Sequence, residues 1–491
     1  MPKITLCPAL SATLAATLAF IGLMLASCAT PHEPATPVTS GTVITHVTVV
    51  NTRDGTLQPG MSVVIQNGKI STIAKSASIT ASGSAQTIDA SGKFVVPGYN
   101  DMHTHAMANA DEPMPFWPAM LANGITGIRE MAGNAQTIAR ARKLNADSAA
   151  GLVLAPEVLS SASNIVTAMV APPATSGVMQ QLKNDGADYV KTVSQNPGMF
   201  PILMAESKRL GLPVAGHIAP GISATEASNA GWRAVEHLGP ALSLLLDCST
   251  DEEAIRSVIR RAPPVMPNIF SPFIPRLPEV DWFKRVMATY SEERCVTLAR
   301  TFAKNETWQV PSLYRVKTMQ FSADAAYRTD PNLKYVEAKR RAQWQSLAEQ
   351  YTRTIPAEVD AVFRSFYDYQ LKLLQTMRRE KVRMLTGSDM TGIWCIPGFS
   401  LHEEFKILAQ AGFTPLEILQ MSTVNAAEFL KRSDFGQVDE GKTADLVLLD
   451  ANPLLDAANL SRIWGVVVKG RYQSKVALQK MLDDTATAYR N

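Results

Sequence analysis

Two histidines separated by one residue, His103 and His105, offer the most specific chemistry in this sequence. They end an apolar, β-branched stretch, residues 95–105, which predicts a buried strand. Because alternate residues of a strand point the same way, both imidazoles can face one point. Neutral imidazoles that converge in this way are ligands for a divalent metal. A lone His-x-His pair also recurs by chance, so the rest of the chain has to supply further ligands.

Four more residues with suitable side chains end predicted strands: Lys191, His217, His237 and Asp389. Taken singly, each histidine fits a hydrogen-bonded core position, and the aspartate fits a helix cap. The lysine is less ordinary, because burying an ammonium group is costly. If the strands belong to a parallel barrel, all of these side chains meet at one mouth. The full set is hard to obtain by chance and predicts a metal site.

The segments that carry these residues alternate between apolar β patterns and helical patterns, which predicts an α/β fold with a parallel sheet. The eight strand candidates are residues 94–103, 125–131, 151–159, 187–193, 212–218, 233–238, 308–314 and 383–389. Eight such units predict a (β/α)8 TIM barrel over residues 95–431.

Two connections are too long for plain barrel units and are interpreted as helical insertions, at about residues 239–307 and 315–382. Both leave the carboxyl ends of predicted strands, where barrel enzymes hold their substrate loops. A lid over the active site and a surface for extra packing or dimer contacts remain equal alternatives.

Short strands and tight turns flank the barrel at residues 42–94 and 432–470. These two segments predict a small discontinuous β-sandwich domain into which the barrel is inserted. Residues 471–491 have the pattern of a C-terminal helix.

The ordered ligand set resembles the binuclear amidohydrolase superfamily, and within it the imidazolonepropionase-like and Xaa-Pro dipeptidase-like branch. The likeness runs from about residue 42 to 470 and includes the sequence motifs at 96–105, 186–191, 212–217, 234–238, 385–389 and 441–448. This sequence departs from the family pattern in two ways. The loop at 160–167 lacks the glycine- and histidine-rich sequence of many relatives, and the two insertions are absent from compact members of the family. The combination is therefore specific for the superfamily and weak for the substrate.

The resemblance implies a ligand assignment with two divalent metal ions, for which zinc is expected. His103, His105 and Asp389 would hold one metal, and His217 and His237 the other. A carboxylated Lys191 would bridge both metals. Asp389 would also take a proton from the bridging water, so Asp389 and Lys191 form the expected catalytic pair.

Three further residues are candidates for substrate binding. Tyr314 would meet a polar group of the substrate, and Arg315 would pair with a carboxylate. His402 resembles a position common in this branch, where a role near the substrate and a role in capping its helix are equally supported.

The implied function is hydrolysis of an amide bond in a peptide or an N-acyl amino acid by a hydroxide that bridges the metals. A ring-opening hydrolase of a cyclic amide or lactone, or a deaminase, is the alternative enzyme. A binding lipoprotein on a catalytically dead barrel is the alternative without catalysis. Retention of all six ligand positions argues against that last hypothesis.

Residues 1–27 have the pattern of a bacterial lipoprotein signal peptide, and Leu25-Ala26-Ser27-Cys28 resembles a lipobox. Cys28 would then carry lipid, and the proline-rich residues 28–41 would form a tether. In that family Ala29, in place of an aspartate, indicates the periplasmic face of the outer membrane. An ordinary secretory signal cut near Ala29 and a membrane anchor are the alternatives.

Composition indicates an ordinary globular protein, with 46% hydrophobic and 19% charged residues. A net charge of +3 without a basic run argues against a nucleic-acid partner. The resemblance to amidohydrolases implies a small-molecule substrate, and a homo-oligomer is left open. Cys248, Cys295 and Cys395 would remain after processing. One disulfide is compatible with the periplasm, but the spacing does not select a pair.

Overall fold

The computed structural model describes residues 35–107, 115–193, 196–239, 241–261 and 277–490. The predicted signal peptide, Cys28 and the first half of the tether, residues 28–34, lie outside these residues. Among the helices in the described ranges, none combines the length and the apolar character that crossing a membrane requires.

Strands alternate with helices along the described chain. The strands are β1 (Thr36–Val38), β2 (Thr42–Val50), β3 (Leu57–Gln66), β4 (Lys69–Lys75), β5 (Ile79–Ala81), β6 (Gln86–Asp89), β7 (Phe94–Pro97), β8 (Tyr99–Thr104), β9 (Ile125–Glu130), β10 (Glu157–Ser161), β11 (Val166–Thr167), β12 (Val190–Val193), β13 (Val214–Gly216), β14 (Ala234–Glu236), β15 (Trp308–Val310), β16 (Leu446–Leu449), β17 (Ile463–Val468) and β18 (Arg471–Ser474).

The helices are α1 (Trp117–Ala122), α2 (Ala135–Ala149), α3 (Thr175–Asn184), α4 (Phe200–Leu210), α5 (Ala224–Asn229), α6 (Glu252–Arg261), α7 (Leu277–Ala288), α8 (Glu292–Asn305), α9 (Leu313–Gln320), α10 (Ala325–Arg328), α11 (Ala338–Thr354), α12 (Ala357–Arg379), α13 (Phe399–Gln410), α14 (Pro415–Ser422), α15 (Val424–Phe429) and α16 (Lys475–Ala488).

Segments from both ends of the chain share one mixed sheet, in the order β18-β17-β16-β7-β2-β3-β4 with β6 beside β2. Its two faces follow the strand alternation, because Val95 and Val96 of β7 pack into two different cores. A separate pair, β1 and β5, packs against Val43 and Val64 of this sheet. A two-sheet sandwich is not confirmed by this arrangement.

The strands in the middle of the chain form two parallel sheets, β10-β9-β8 and β11-β12-β13-β14-β15. Isolated parallel bridges extend them: Ala162 with Tyr189, Gln309 with Met384, and Thr104 with Met390. The predicted α/β class is therefore confirmed, while closure into one eight-stranded barrel stays a prediction.

Several predicted strand limits are wrong, each for a local reason. The candidate 94–103 is split between two sheets at Gly98, where an added Cβ would lie 2.0 Å from Oγ1 of Thr126. The candidate 151–159 becomes a strand only at Glu157.

The other corrections concern strand ends. The candidate 308–314 ends at Val310, because Ser312 adopts a left-handed φ of +42° and α9 begins at Leu313. Residues 383–389 form no regular strand, and the segment is joined to its neighbours by isolated bridges at Met384 and Met390. At the C-terminus, residues 471–474 belong to β18, so the helix is shorter than predicted and begins at Lys475.

The two insertions pack against each other. Phe283 of α7 contacts Phe363 and Phe366 of α12, with ring centroids 5.5 and 4.7 Å apart. A disulfide between Cys248 and Cys295 ties the loop before α6 to α8, and Cys395 is a buried free thiol. These contacts support the extra-packing interpretation for a large part of the inserted chain.

The disulfide should stabilise the fold, because it closes a loop with a sequence separation of 47 residues. Chain entropy for such a loop gives an upper value of about 4 kcal/mol. We expect the double substitution Cys248→Ser and Cys295→Ser to lower the free energy of unfolding by about 2–4 kcal/mol in urea titrations. Reductant should lower the free energy of unfolding of the wild type by the same amount as the double substitution does. It should leave the stability of the double variant unchanged. A double variant as stable as the oxidised wild type would contradict this assignment.

Candidate metal centre

The inward faces of the parallel strands carry an apolar layer followed by a polar one. Tyr189, Ala215 and Ala234 pack in one buried apolar cluster. Two residues further along the same strands, and therefore on the same face, lie polar side chains. These are Lys191, His217 and Glu236, all buried. Because side chains alternate along a strand, these polar side chains lie next to an apolar layer on the same face, in a region with little water.

Asp389 brings the first group of predicted ligands together. Its backbone N–H donates to the carbonyl of His103 at 2.8 Å, which sets the segment 383–390 beside β8. Its Oδ1 lies 3.4 Å from Nε2 of His103 and 3.2 Å from Nε2 of His105. The ligating atoms of these three residues lie within 4.8 Å of one another, a spacing compatible with one metal ion.

The second group lies next to the first. Nε2 of His237 is 3.5 Å from Oδ2 of Asp389, and the His237 ring is 4.5 Å from the ring of His103 and 5.1 Å from that of His217. Burial lowers the pKa of His103 to about 4 and holds the pKa values of His217 and His237 well below the usual range. These imidazoles are therefore neutral at pH 7, with lone pairs available to a metal.

Lys191 lies among these rings. Burial lowers the pKa of its amine to about 8, although the Glu236 and Asp389 carboxylates oppose that shift. Its Nζ is buried and, among the described residues, has no hydrogen-bond partner. Burying a polar group without a partner is costly. A buried amine in this position fits a site that binds a further group.

Two of the ligands adopt left-handed backbone conformations, His237 with φ of +58° and Asp389 with φ of +50°. Such conformations cost about 1–3 kcal/mol for residues other than glycine and recur at functional sites. In a regular strand, Glu236 and His237 would point to opposite faces. The left-handed turn at His237 ends β14 and lets both side chains face the cluster.

Glu236 and Arg129 contact the candidate ligand His103 directly or through one another, and the sequence analysis did not include them. Nδ1 of His103 donates to Oε2 of Glu236 at 2.7 Å, and Nη2 of Arg129 donates to Oε1 at 2.7 Å. Although burial opposes ionisation, Arg129 and His103 hold the pKa of Glu236 well below its usual range. The carboxylate therefore fixes the proton of His103 on Nδ1 and leaves Nε2 for a metal. The alternation Ala234, Glu236 was a usable signal for this residue.

Asp101 joins the two segments that carry the first group of ligands. Its Oδ1 accepts from the backbone N–H of Ser388 at 2.9 Å and from that of His103 at 3.3 Å. Its Oδ2 accepts from Oγ of Ser388 at 2.5 Å. One buried carboxylate thus fixes the backbone beside two candidate ligands, His103 and Asp389.

The predicted substrate residues have other partners in the structure. Nε of Arg315 donates to Oδ2 of Asp389 at 3.1 Å, so its guanidinium is committed to a candidate ligand. The hydroxyl of Tyr314 donates to the carbonyl of Trp394 at 3.4 Å. Both side chains are buried. Arg315 therefore forms an ion pair inside the protein, and its expected pairing with a substrate carboxylate stays a prediction.

His402 has a structural position. Its Nε2 pairs with the carbonyl of Asn123 at 2.9 Å, and its ring packs edge-on against Tyr99. Tyr99 is the first residue of β8, about 13 Å of extended strand before His103. These contacts support neither predicted role, because they lie at the start of β8 and the carbonyl that pairs with His402 belongs to the C-cap of α1 and not to α13.

Comparisons with known proteins fit this geometry. Residues 370–472 match the family model described as "Amidohydrolase family". The chain is 33% identical over 85 residues to adenine deaminase of Rubrobacter xylanophilus. This match covers 17% of this chain and 14% of that protein. It is 28% identical over 130 residues to imidazolonepropionase of Psychrobacter cryohalolentis, with 25% and 29% covered. The chain thus spans less than a third of the length of these curated relatives.

Solved structures are similar over far more of the chain. Bottromycin amidohydrolase has a TM-score of 0.69 at 18% identity, covering 91% of this chain and 90% of that one. A Xaa-Pro dipeptidase with bound methionine has a TM-score of 0.58 at 17% identity, covering 89% and 100%. The predicted resemblance to amidohydrolases is therefore confirmed, in fold along most of the chain and in sequence along its C-terminal part.

Glu236 provides a test of the site that does not depend on turnover. We expect Glu236→Gln to weaken zinc binding about 10- to 100-fold in calorimetric titrations of metal-free protein, because His103 loses its charged acceptor. Glu157→Gln is the matched control, since Glu157 pairs with Arg432 and Lys469 at the start of β10, away from the cluster. Equal zinc affinity in wild type and Glu236→Gln would contradict the role given to Glu236.

Proposed function

We propose that this chain, which is similar to amidohydrolases, is a metal-dependent hydrolase that cleaves an amide bond in a peptide or an N-acyl amino acid. The observation that carries the proposal is the meeting of four imidazoles, one carboxylate and Nζ of Lys191, which has no hydrogen-bond partner among the described residues. The family match and the hydrolases among the relatives support an enzyme that acts on carbon–nitrogen bonds.

We also propose that the parallel sheets and residues 383–390 form one closed (β/α)8 barrel. The bridges from Gln309 to Met384 and from Thr104 to Met390 support this closure, as does the likeness to solved amidohydrolases. In such a barrel the candidate ligands would all lie at the carboxyl ends of the strands.

The donor set fits two divalent metal ions, and its nitrogen-rich chemistry suits zinc. His103, His105 and Asp389 would hold one ion, and His217 and His237 the other. When bound, two such ions lower the pKa of a water molecule and polarise the amide carbonyl.

Lys191 would complete the site as a carbamate. Its neutral amine attacks the carbon of carbon dioxide and loses a proton, which gives a negatively charged group with two oxygens. One oxygen would be available to each ion, and the orphaned position of Nζ supports this chemistry.

Asp389 would move the proton. The attacking water forms a bond from its oxygen to the carbonyl carbon and gives a proton to the Asp389 carboxylate. As the carbon–nitrogen bond breaks, Asp389 passes that proton to the leaving nitrogen. Arg315 would orient the carboxylate through its contact with Oδ2. Although burial opposes ionisation, the neighbouring histidines hold the pKa of Asp389 well below its usual range, so it begins as a base.

A second candidate is hydrolysis of a carbon–nitrogen bond in or on a ring. The sequence similarity to imidazolonepropionase and adenine deaminase favours it. A panel of dipeptides, N-acyl amino acids, cyclic amides, lactones and aminopurines, tested with zinc-loaded protein, would separate the two candidates. Absence of turnover on the whole panel, with metal bound, would instead favour the binding lipoprotein.

For location, we propose a lipid anchor at Cys28 and residence at the periplasmic face of the outer membrane. The lipobox-like motif Leu25-Ala26-Ser27-Cys28 supports the anchor. The disulfide between Cys248 and Cys295 supports an oxidising compartment.

Lys191 gives a sharp test of the two-metal proposal. We expect Lys191→Ala to lose one or both metals and nearly all activity, because the bridging group disappears. Lys191→Glu should keep part of the metal, since a carboxylate replaces the carbamate imperfectly. Metal content by elemental analysis, measured beside activity, checks both outcomes, and added bicarbonate should speed reconstitution of the wild type. Full metal content with normal turnover in Lys191→Ala would leave a mononuclear site as the better account.

The anchor is tested separately. Cys28→Ser should abolish lipid labelling and move the protein out of the membrane fraction. Specific activity should be unchanged, because the cluster is built from residues after 100. Wild-type protein that starts at residue 29 or later and remains soluble would contradict the lipoprotein assignment.

A further inference from the structure

A cavity of about 630 Å³ opens beside His105. Its walls come from the chain after β8, from the start of α11 in the second insertion, and from the end of α16. This volume falls within the range of small-molecule binding sites. Because His105 is both a wall residue and a candidate metal ligand, a group held in this cavity would lie next to the scissile bond.

One side of the cavity is aromatic and buried. Phe116, Tyr335 and Trp344 contribute to it and are nearly inaccessible to solvent. Tyr335 stacks on Phe399 with ring centroids 5.1 Å apart, and Trp344 packs edge-on against Trp394 at 5.7 Å. These contacts hold the aromatic wall in place, so it is suited to a flat or long apolar group.

Another side carries charge. Lys339 and Arg340 line the cavity together with one acidic residue, Glu337. Among the described residues, neither cation forms an ion pair, in contrast to Arg315, which is bonded to Asp389. Two cations against one anion favour an anionic ligand, and the planar guanidinium of Arg340 is suited to a carboxylate.

We propose that this cavity selects amide substrates whose portion next to the scissile bond carries both an aromatic or long apolar group and a carboxylate, as in an N-acylated aromatic amino acid. Arg340 binds the carboxylate, Lys339 adds positive potential, and Glu337 limits the affinity. This proposal rests on the proposed amide hydrolysis and assigns to Arg340 the role that the sequence gave to Arg315.

The test compares N-acetyl-phenylalanine with N-acetyl-phenethylamine, which has the same ring and the same amide but no carboxylate. Zinc-loaded full-length protein should prefer the acid. Arg340→Gln should lower the ratio of kcat/KM for acid over amine about 10- to 100-fold, chiefly through KM. Glu337→Gln should raise the same ratio, because it removes the acidic wall residue.

Arg353→Gln is the matched control. Arg353 lies on the same helix, about 20 Å from Arg340, and does not line the cavity. The ratio of kcat/KM for acid over amine in Arg353→Gln should equal that of the wild type. Equal losses on both substrates in Arg340→Gln, or an equal change of the ratio in Arg353→Gln, would overturn the proposal.

A binding measurement separates this proposal from the proposed function. Binding of N-acetyl-phenylalanine to metal-free protein is followed by tryptophan fluorescence, with Trp344→Phe to identify the reporter. Binding that depends on Arg340, without hydrolysis of either substrate, would support the cavity and contradict the amide hydrolysis. Hydrolysis at a rate that does not change in Arg340→Gln would support the amide hydrolysis and contradict the role of the cavity. Absence of both hydrolysis and Arg340-dependent binding would overturn both proposals.

Discussion

The carboxylate of Asp389, which is only 14% exposed, is the charge around which the other candidate groups are arranged. Nitrogen atoms of His103, His105, His237 and Arg315 all lie within 3.5 Å of its oxygens. A buried carboxylate without such partners would be strongly destabilising. Since these partners come from three separate segments, their backbones have to keep a fixed register for the charge to remain compensated.

That register is maintained by groups which do not themselves reach the proposed metals. Asp101 bonds the backbone beside His103 and Asp389, and Glu236 holds the His103 ring while Arg129 balances its charge. Hydrogen-bonded supports of this kind orient ligands and set which ring nitrogen is free. The site therefore depends as much on its buried ion pairs as on the ligands.

How much the sequence could predict differs from residue to residue. The His-x-His alternation and the positions of Lys191 and His217 follow from strand geometry, so their convergence was predictable. The ion pair of Arg315 with Asp389 was not predictable, because the strand before it stops at Val310 and a left-handed Ser312 turns the chain into α9. Periodicity cannot indicate such a turn. Likewise, the disulfide and the contribution of α16 to the cavity depend on contacts between residues far apart in sequence.

We propose that one cluster binds two metal ions through a modified lysine. Anomalous diffraction at the zinc edge, from crystals of zinc-loaded protein, can locate these ions. Two zinc peaks about 3.5–4 Å apart are expected, one next to His103, His105 and Asp389 and the other next to His217 and His237, with density beyond Nζ of Lys191 between them. A single peak, or zinc bound away from this cluster with an unmodified Lys191, would show that the two-metal proposal is wrong.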